Sequence, residues 1–199
     1  VHKGLAATTM DDIAREAEFS KATLYHYFQG KSGLLLEIMA NFYDEIAQGI
    51  QSISLGTASA GERLKNGLRF YLEYNEQKEN IARMLWMDRE FRERVSILAA
   101  NERSLTSKDD VKFLDDMKQR RRSILDSVAR IIEDGVAAGE FREVDVACAV
   151  TALEAMIQGF CYLRSWHDRA YTVQEATDFF YDFILRGMAK AGSLAKGES

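Results

Sequence analysis

Residues 8–35 read TTMDDIAREAEFSKATLYHYFQGKSGLL, and this stretch decides the fold. Thr9 with Asp12 three residues on has the form of a capping box, with Asp in the usual Glu or Gln place. Ile13 and Ala17 then supply a small apolar face. That helix stops near Glu18, and Ser20 caps the next. With only Glu18 and Phe19 between them, the two helices must meet at a steep angle, which is the outline of a helix-turn-helix. On the second helix Leu24 and Phe28 share one side. Ala22 and His26 lie opposite, flanked by Thr23 and Tyr25.

A face made of a small residue, a hydroxyl and polar-tipped aromatics suits the major groove. Ala22 permits close approach, Thr23 can bond a base edge or touch a thymine methyl, and Lys21 can reach guanine or phosphate. Tyr25 and Tyr27 carry hydroxyls suited to phosphate oxygens. Gly30 and Lys31 open a third helix, whose N-terminal dipole end and added ammonium favour a phosphate.

TTMDDIA, then SKATLYHYF, then Lys31 and the Leu pair resemble the DNA-binding domain of the TetR/AcrR family of bacterial transcriptional regulators. Glu18 and Ala22 stand where that family often has Gly. The resemblance implies a dimeric DNA-binding regulator, with bases read or abutted by Lys21, Ala22, Thr23 and Tyr25. Phosphates would be held by Thr9, Tyr27 and Lys31, and His26 could do either. It also implies a helix before Gly4, so a native N-terminal helix preceding these residues is expected, closing a core of Leu5, Ile13, Leu24 and Phe28.

The chain has 199 residues, 47% of them hydrophobic, and no proline. Long periodic runs of Ala, Leu, Glu, Arg and Met favour an all-α protein with short connections. No apolar run looks long enough to cross a membrane and no cleavable leader opens the chain, so a cytoplasmic protein without a membrane partner is expected. The net charge of −5 averages over parts that need never meet DNA. Over residues 1–35, Lys3, Arg15, Lys21 and Lys31 balance Asp11, Asp12, Glu16 and Glu18. A neutral reading head implies modest non-specific affinity. Cys148 and Cys161 read as buried small hydrophobes in a reducing compartment rather than a disulfide or metal pair.

Two domains are expected, residues 1–35 as the reading head and 36–199 as a helical effector-binding and dimerisation domain. Leu34, Leu35, Ile38, Phe42, Ile46, Ile50 and Ile53 repeat at three and four along a helix from Lys31, the mechanical link out of the head. Ser59 with Glu62 boxes a helix carrying Leu64, Leu68, Tyr71, Leu72 and Asn75. Another helix is expected from about Asn80, and residues 95–107 allow helix or loop. Ser107 with Asp110 caps a helix to about Ala138, stopped by Gly139. Its Lys118, Arg120, Arg121 and Arg122 form either a solvated face or a site for an acidic ligand or DNA. Asp145 caps a helix to about Trp166, and Thr172 with Glu175 boxes the last one, to about Lys190.

The last two helices carry apolar stripes that include Val150, Leu153, Ile157 and Phe160, then Phe179, Phe180, Phe183, Ile184 and Gly187. These residues are expected to pair with their copies as a two-fold, four-helix interface. By resemblance, Tyr71, Tyr74, Met84, Trp86, Met87, Phe113, Met117, Tyr162 and Trp166 lie in helices around an effector pocket, though aromatics at helical spacing also make ordinary core. The preferred effector is an apolar or amphipathic small molecule. No cofactor is expected. An all-helical enzyme is disfavoured because His2, His26 and His167 form no ExxH arrangement and Asp115–Asp116 lacks a second acidic motif. A helical adaptor binding another protein is the remaining rival.

Overall fold

The computed structural model describes residues 7–28, 30–82, 108–166 and 171–188. Every element with full bounds is helical: α1 (Met10–Glu16), α2 (Lys21–Tyr27), α3 (Gly30–Ser54), α4 (Ala60–Gln77), α5 (Lys108–Ala137), α6 (Val146–Trp166) and α7 (Val173–Met188). The boundaries follow from capping chemistry. Reciprocal boxes open α1 at Thr9 and α4 at Ser59, the Ser20 hydroxyl accepts from the Thr23 amide at α2, and Asp145 accepts from the Cys148 amide at α6. Each satisfies amides that a helix start otherwise leaves unpaired. The Thr172–Glu175 box opens α7 in the same way. Gly139, at φ +73°, turns the chain away from α5. Leu5, the Ser107 cap and residues 95–107 lie outside the described residues.

The chain divides into two compact units, Val1–Asp44 with Asn80–Lys118, and Glu45–Glu79 with Gln119–Ser199. In the first, Met10, Ala14 and Leu24 are buried, with Ile13 and Phe28 packed against them. This corrects the expected face of α1: Ala17 is exposed and the inward residues are Met10 and Ala14. Ala17 is the C-cap, so the chain has already begun to turn and its side chain leaves the helix face.

The second unit is built around α4, α6, α7 and the C-terminal half of α5. Leu64, Leu68, Leu72, Ile131, Ile132, Phe141, Val150, Leu153, Phe180 and Ile184 form one buried cluster. Its polar ties are specific. The Arg63 guanidinium donates to the Ser54 carbonyl at 2.7 Å and to Asp134 at 2.8 Å, so a buried charge is paired. Glu140 accepts from the amides of Ala60 and Gly61 at 3.2 and 3.0 Å, capping α4 from a distant turn.

Two further expectations need correction. Residues Val146–Arg164 are in fact long and apolar enough to cross a membrane by length and composition, with mean hydropathy 1.6. Only 17% of that window is buried within the chain, so α6 carries apolar residues on more sides than its own core uses. Cys161 is buried, but Cys148 is exposed, because it lies on the side of α6 turned away from that core.

Candidate nucleic-acid interface

The turn that sets the reading helix closes around Glu18. The Phe19 amide donates to the Ala14 carbonyl at 2.9 Å and the Glu18 amide to Arg15 at 3.3 Å. That pair of bonds is a Schellman stop, which places its central residue in the left-handed region. Glu18 sits there at φ +57°, where glycine would be relaxed. Its position between α1 and α2 is thus left-handed, as the family's usual Gly at that site requires.

On α2, Leu24 points into the core, while Lys21, Ala22, Tyr25, His26 and Tyr27 are exposed and Thr23 is half-buried. Their hydrogen-bonding capacity is unequal. The Thr23 and Ser20 hydroxyls share one hydrogen bond at 2.7 Å, in which either can donate, so the Thr23 hydroxyl keeps part of its capacity and its methyl group is also available to a base. The Thr9 hydroxyl gives its proton to Asp12 at 2.8 Å, so it reaches a phosphate only by breaking its own box. Lys21 is paired with Asp11, Nζ to the two carboxylate oxygens at 2.8 and 3.0 Å, which raises its pKa above the ordinary lysine value. Its ammonium also lies 5.9 Å over the Tyr25 ring. His26 and Tyr27 meet edge-on at 5.2 Å, and Lys31 is half-buried at the start of α3. Sequence reasoning missed Asp11, because a contact ten residues away across a turn leaves no mark in helical periodicity.

The expected effector residues are more scattered. Tyr71, Met117 and Tyr162 are half-buried, and Tyr74 is buried. The Tyr74 hydroxyl donates to Glu45 at 2.8 Å, and burial followed by that bond pushes its pKa well up, so it serves as a structural tie. Met84, Trp86 and Met87 lie outside the described residues, as do the side chains of Phe113 and Trp166. Near Tyr71, the Asn75 amide donates to the Tyr71 carbonyl at 2.8 Å, while its buried Oδ1 has no hydrogen-bond partner. Burial raises the Cys161 thiol to about 12, with Arg164 opposing, which keeps it protonated and unreactive. In the basic stretch, Arg121 makes a two-pronged pair with Glu154 and Arg122 a long contact to Asp126.

The expected dimer stripe divides in two. Val150, Leu153, Phe180 and Ile184 are buried within the chain itself and so are corrected to core. Ile157 and Phe160 are half-buried against that core, with Phe160 edge-on to Phe180 at 4.9 Å. Phe179 and Phe183 stack on each other at 6.3 Å while remaining 68% and 57% exposed, and Gly187 is exposed beside them. Periodicity could not separate these sets, because on an apolar helix both sides carry the same residue types. Beside the phenylalanines lies a groove of about 410 Å³ whose lining includes Arg142, Cys148, Met156, Phe183 and Met188.

Residues 1–38 match the family model for bacterial regulatory proteins of the tetR family, and residues 87–188 match the tetracyclin repressor-like C-terminal domain. The chain belongs to the TetR family. It is similar to the HTH-type transcriptional regulator YhgD of Bacillus subtilis, 28% identical over 142 residues, which are 71% of this chain and 65% of that protein. The HTH-type transcriptional repressor KstR2 of Mycobacterium tuberculosis is likewise 28% identical over 146 residues, 72% of this chain and 64% of the relative. The matches therefore span just under two thirds of these relatives' lengths. Among solved structures, the TetR-family regulator PfmR from Thermus thermophilus superposes with a TM-score of 0.70 at 25% identity, covering 94% of this chain and 93% of that one. TetR proteins are transcription regulators rather than enzymes. In this TetR protein the two departures at Glu18 and Ala22 leave the head folded, with a strained turn and a small reading tip.

Proposed function

We propose that this chain is a ligand-responsive DNA-binding transcriptional regulator, a repressor that holds a palindromic operator as a homodimer and leaves it when a small-molecule effector binds. The observation that carries the reading is α2: a helix capped by Ser20, anchored by buried Leu24, with Lys21, Ala22, Tyr25 and His26 outward. Such a helix presents small and polar groups at groove depth on a supported base. In this reading Lys21, Ala22, Thr23 and Tyr25 meet bases, and Thr9, Tyr27 and Lys31 hold the backbone. His26 serves either. A repressor is preferred because the similar KstR2 is named as one. Action on DNA in a bacterium puts the protein in the cytoplasm.

The effector is an apolar or amphipathic small molecule received in the second unit, near Tyr71 and Tyr162, and α3, whose residues run from the head into the second unit, carries the response. A ligand that favours one arrangement of the helices shifts the operator-competent population by its differential affinity. The unpaired Asn75 Oδ1 favours an effector with a hydrogen-bond donor, since a buried lone acceptor is costly until something bonds it.

The test is selection of bound sequences from a random duplex pool. Enrichment of a palindrome with half-sites about one helical turn apart supports the regulator. A folded dimer that enriches nothing favours a protein-binding adaptor. On the selected operator, Thr23→Ala should relax preference at one base position, whereas Lys31→Ala should weaken all sequences alike. One uniform effect from both would refute this division of roles.

A further inference from the structure

Lys21, the first residue of the reading helix, is held by a carboxylate of its own domain. Its Nζ lies 2.8 and 3.0 Å from the two oxygens of Asp11, and both side chains are about three-fifths exposed, at 60% and 61%. Asp11 stands in the first turn of α1, where a negative charge suits the helix dipole, but that role needs no contact with α2. The contact has its own consequence for binding. An ammonium already matched to a carboxylate displaces fewer counterions when it meets DNA, and the displaced carboxylate is then left close to the phosphates. With Asp12, Glu16 and Glu18 nearby in the chain, the head has no surplus of positive charge to offset it.

We propose that Asp11 is an internal competitor for Lys21, so that operator DNA must replace a carboxylate to engage the reading helix, and affinity and its salt dependence are set below what Lys21 alone would provide. This rests on the DNA-binding reading above and adds a residue that acts against it. Because the pair is exposed, the expected effect is moderate, roughly a two- to five-fold change in affinity per half-site.

The experiment is a double-mutant cycle on the selected operator, with Kd measured across salt from about 50 to 200 mM. The proteins are the unaltered chain, Asp11→Asn, Lys21→Ala and the double variant, each first shown to melt cooperatively. Asp11→Asn should tighten binding about two- to five-fold per half-site and steepen the salt slope of the dimer by about two, one for each head. In the Lys21→Ala background the same change should do much less, and Asp11→Glu should keep the original affinity. Equal tightening in both backgrounds would mean that Asp11 repels DNA directly, and overturns the proposal. So would weaker binding with blurred half-site preference, which would make Asp11 a positioning residue for Lys21, or no change at all. Failure of the unaltered chain to select any operator would instead sink the regulator reading itself, before any variant is compared.

Discussion

Glu18 shows at single-residue scale how a local cost is tolerated where a turn is required. At φ +57° a non-glycine residue costs about 1–2 kcal/mol, whereas glycine gives back about 0.4–1 kcal/mol through its freer unfolded chain. Glu18→Gly should therefore raise stability by roughly 0.5–1 kcal/mol, read as a higher urea midpoint with unchanged slope. Gly135 is the opposite case. A Cβ there would stand 2.2 Å from the Phe141 ring and 2.9 Å from the Ala60 methyl, and Phe141 is only 2% exposed, so the ring has nowhere to go. Gly135→Ala should destabilise by about 1–3 kcal/mol in the same assay. The turn at Glu18 was legible from the TetR-like pattern. The Gly135 contact was not, because its partners come from a different helix and a later turn.

At the scale of elements, capping chemistry was the most readable part of the chain. The Thr9, Ser59 and Thr172 boxes and the Asp145 cap all appear where side-chain spacing placed them, since each is a contact within one turn. The start of α7 also makes its stability depend on pH. Backbone and side-chain bonds from Thr172 hold Glu175 below its ordinary 4.5, and Lys65 followed by Gln174 holds Asp178 below 3.8. A depressed carboxylate stabilises the fold fully above its unfolded value and loses that contribution as pH falls through its lower folded value. The urea midpoint should therefore drop on acidification below about pH 4.5, and Glu175→Gln with Asp178→Asn should flatten that drop. If the double variant were as acid-sensitive as the parent, these two carboxylates would not be the cause. The apolar faces of α6 and α7 were readable as apolar, but not divisible. Exposed Phe179 and Phe183 against buried Phe180 now separate two outcomes. If the proposed homodimer closes on this face, Phe179→Ser with Phe183→Ser should give a folded protein whose mass in solution falls from dimer to monomer, whereas Phe180→Ser should lose the cooperative melt.

For the whole molecule, the net charge of −5 coexists with a head in which basic and acidic residues balance, so on the proposed reading affinity for DNA would rest on placed contacts and dimerisation more than on bulk charge. The salt slope of operator binding should accordingly be shallow for a dimeric helix-turn-helix protein, and a steep one would mean that basic residues beyond the head, such as those near Arg121, touch the backbone. Sequence alone determined the all-α class, the helix-turn-helix, most helix boundaries and the family resemblance. These rest on contacts three or four residues apart and on a short, dense motif. Only the tertiary structure decided that Lys21 is matched by Asp11, that Arg63 joins Ser54 to Asp134, and which phenylalanines of α7 face inward. Each depends on a partner brought near by folding from another element or across a turn, and a periodicity within one helix carries no record of what packs beside it.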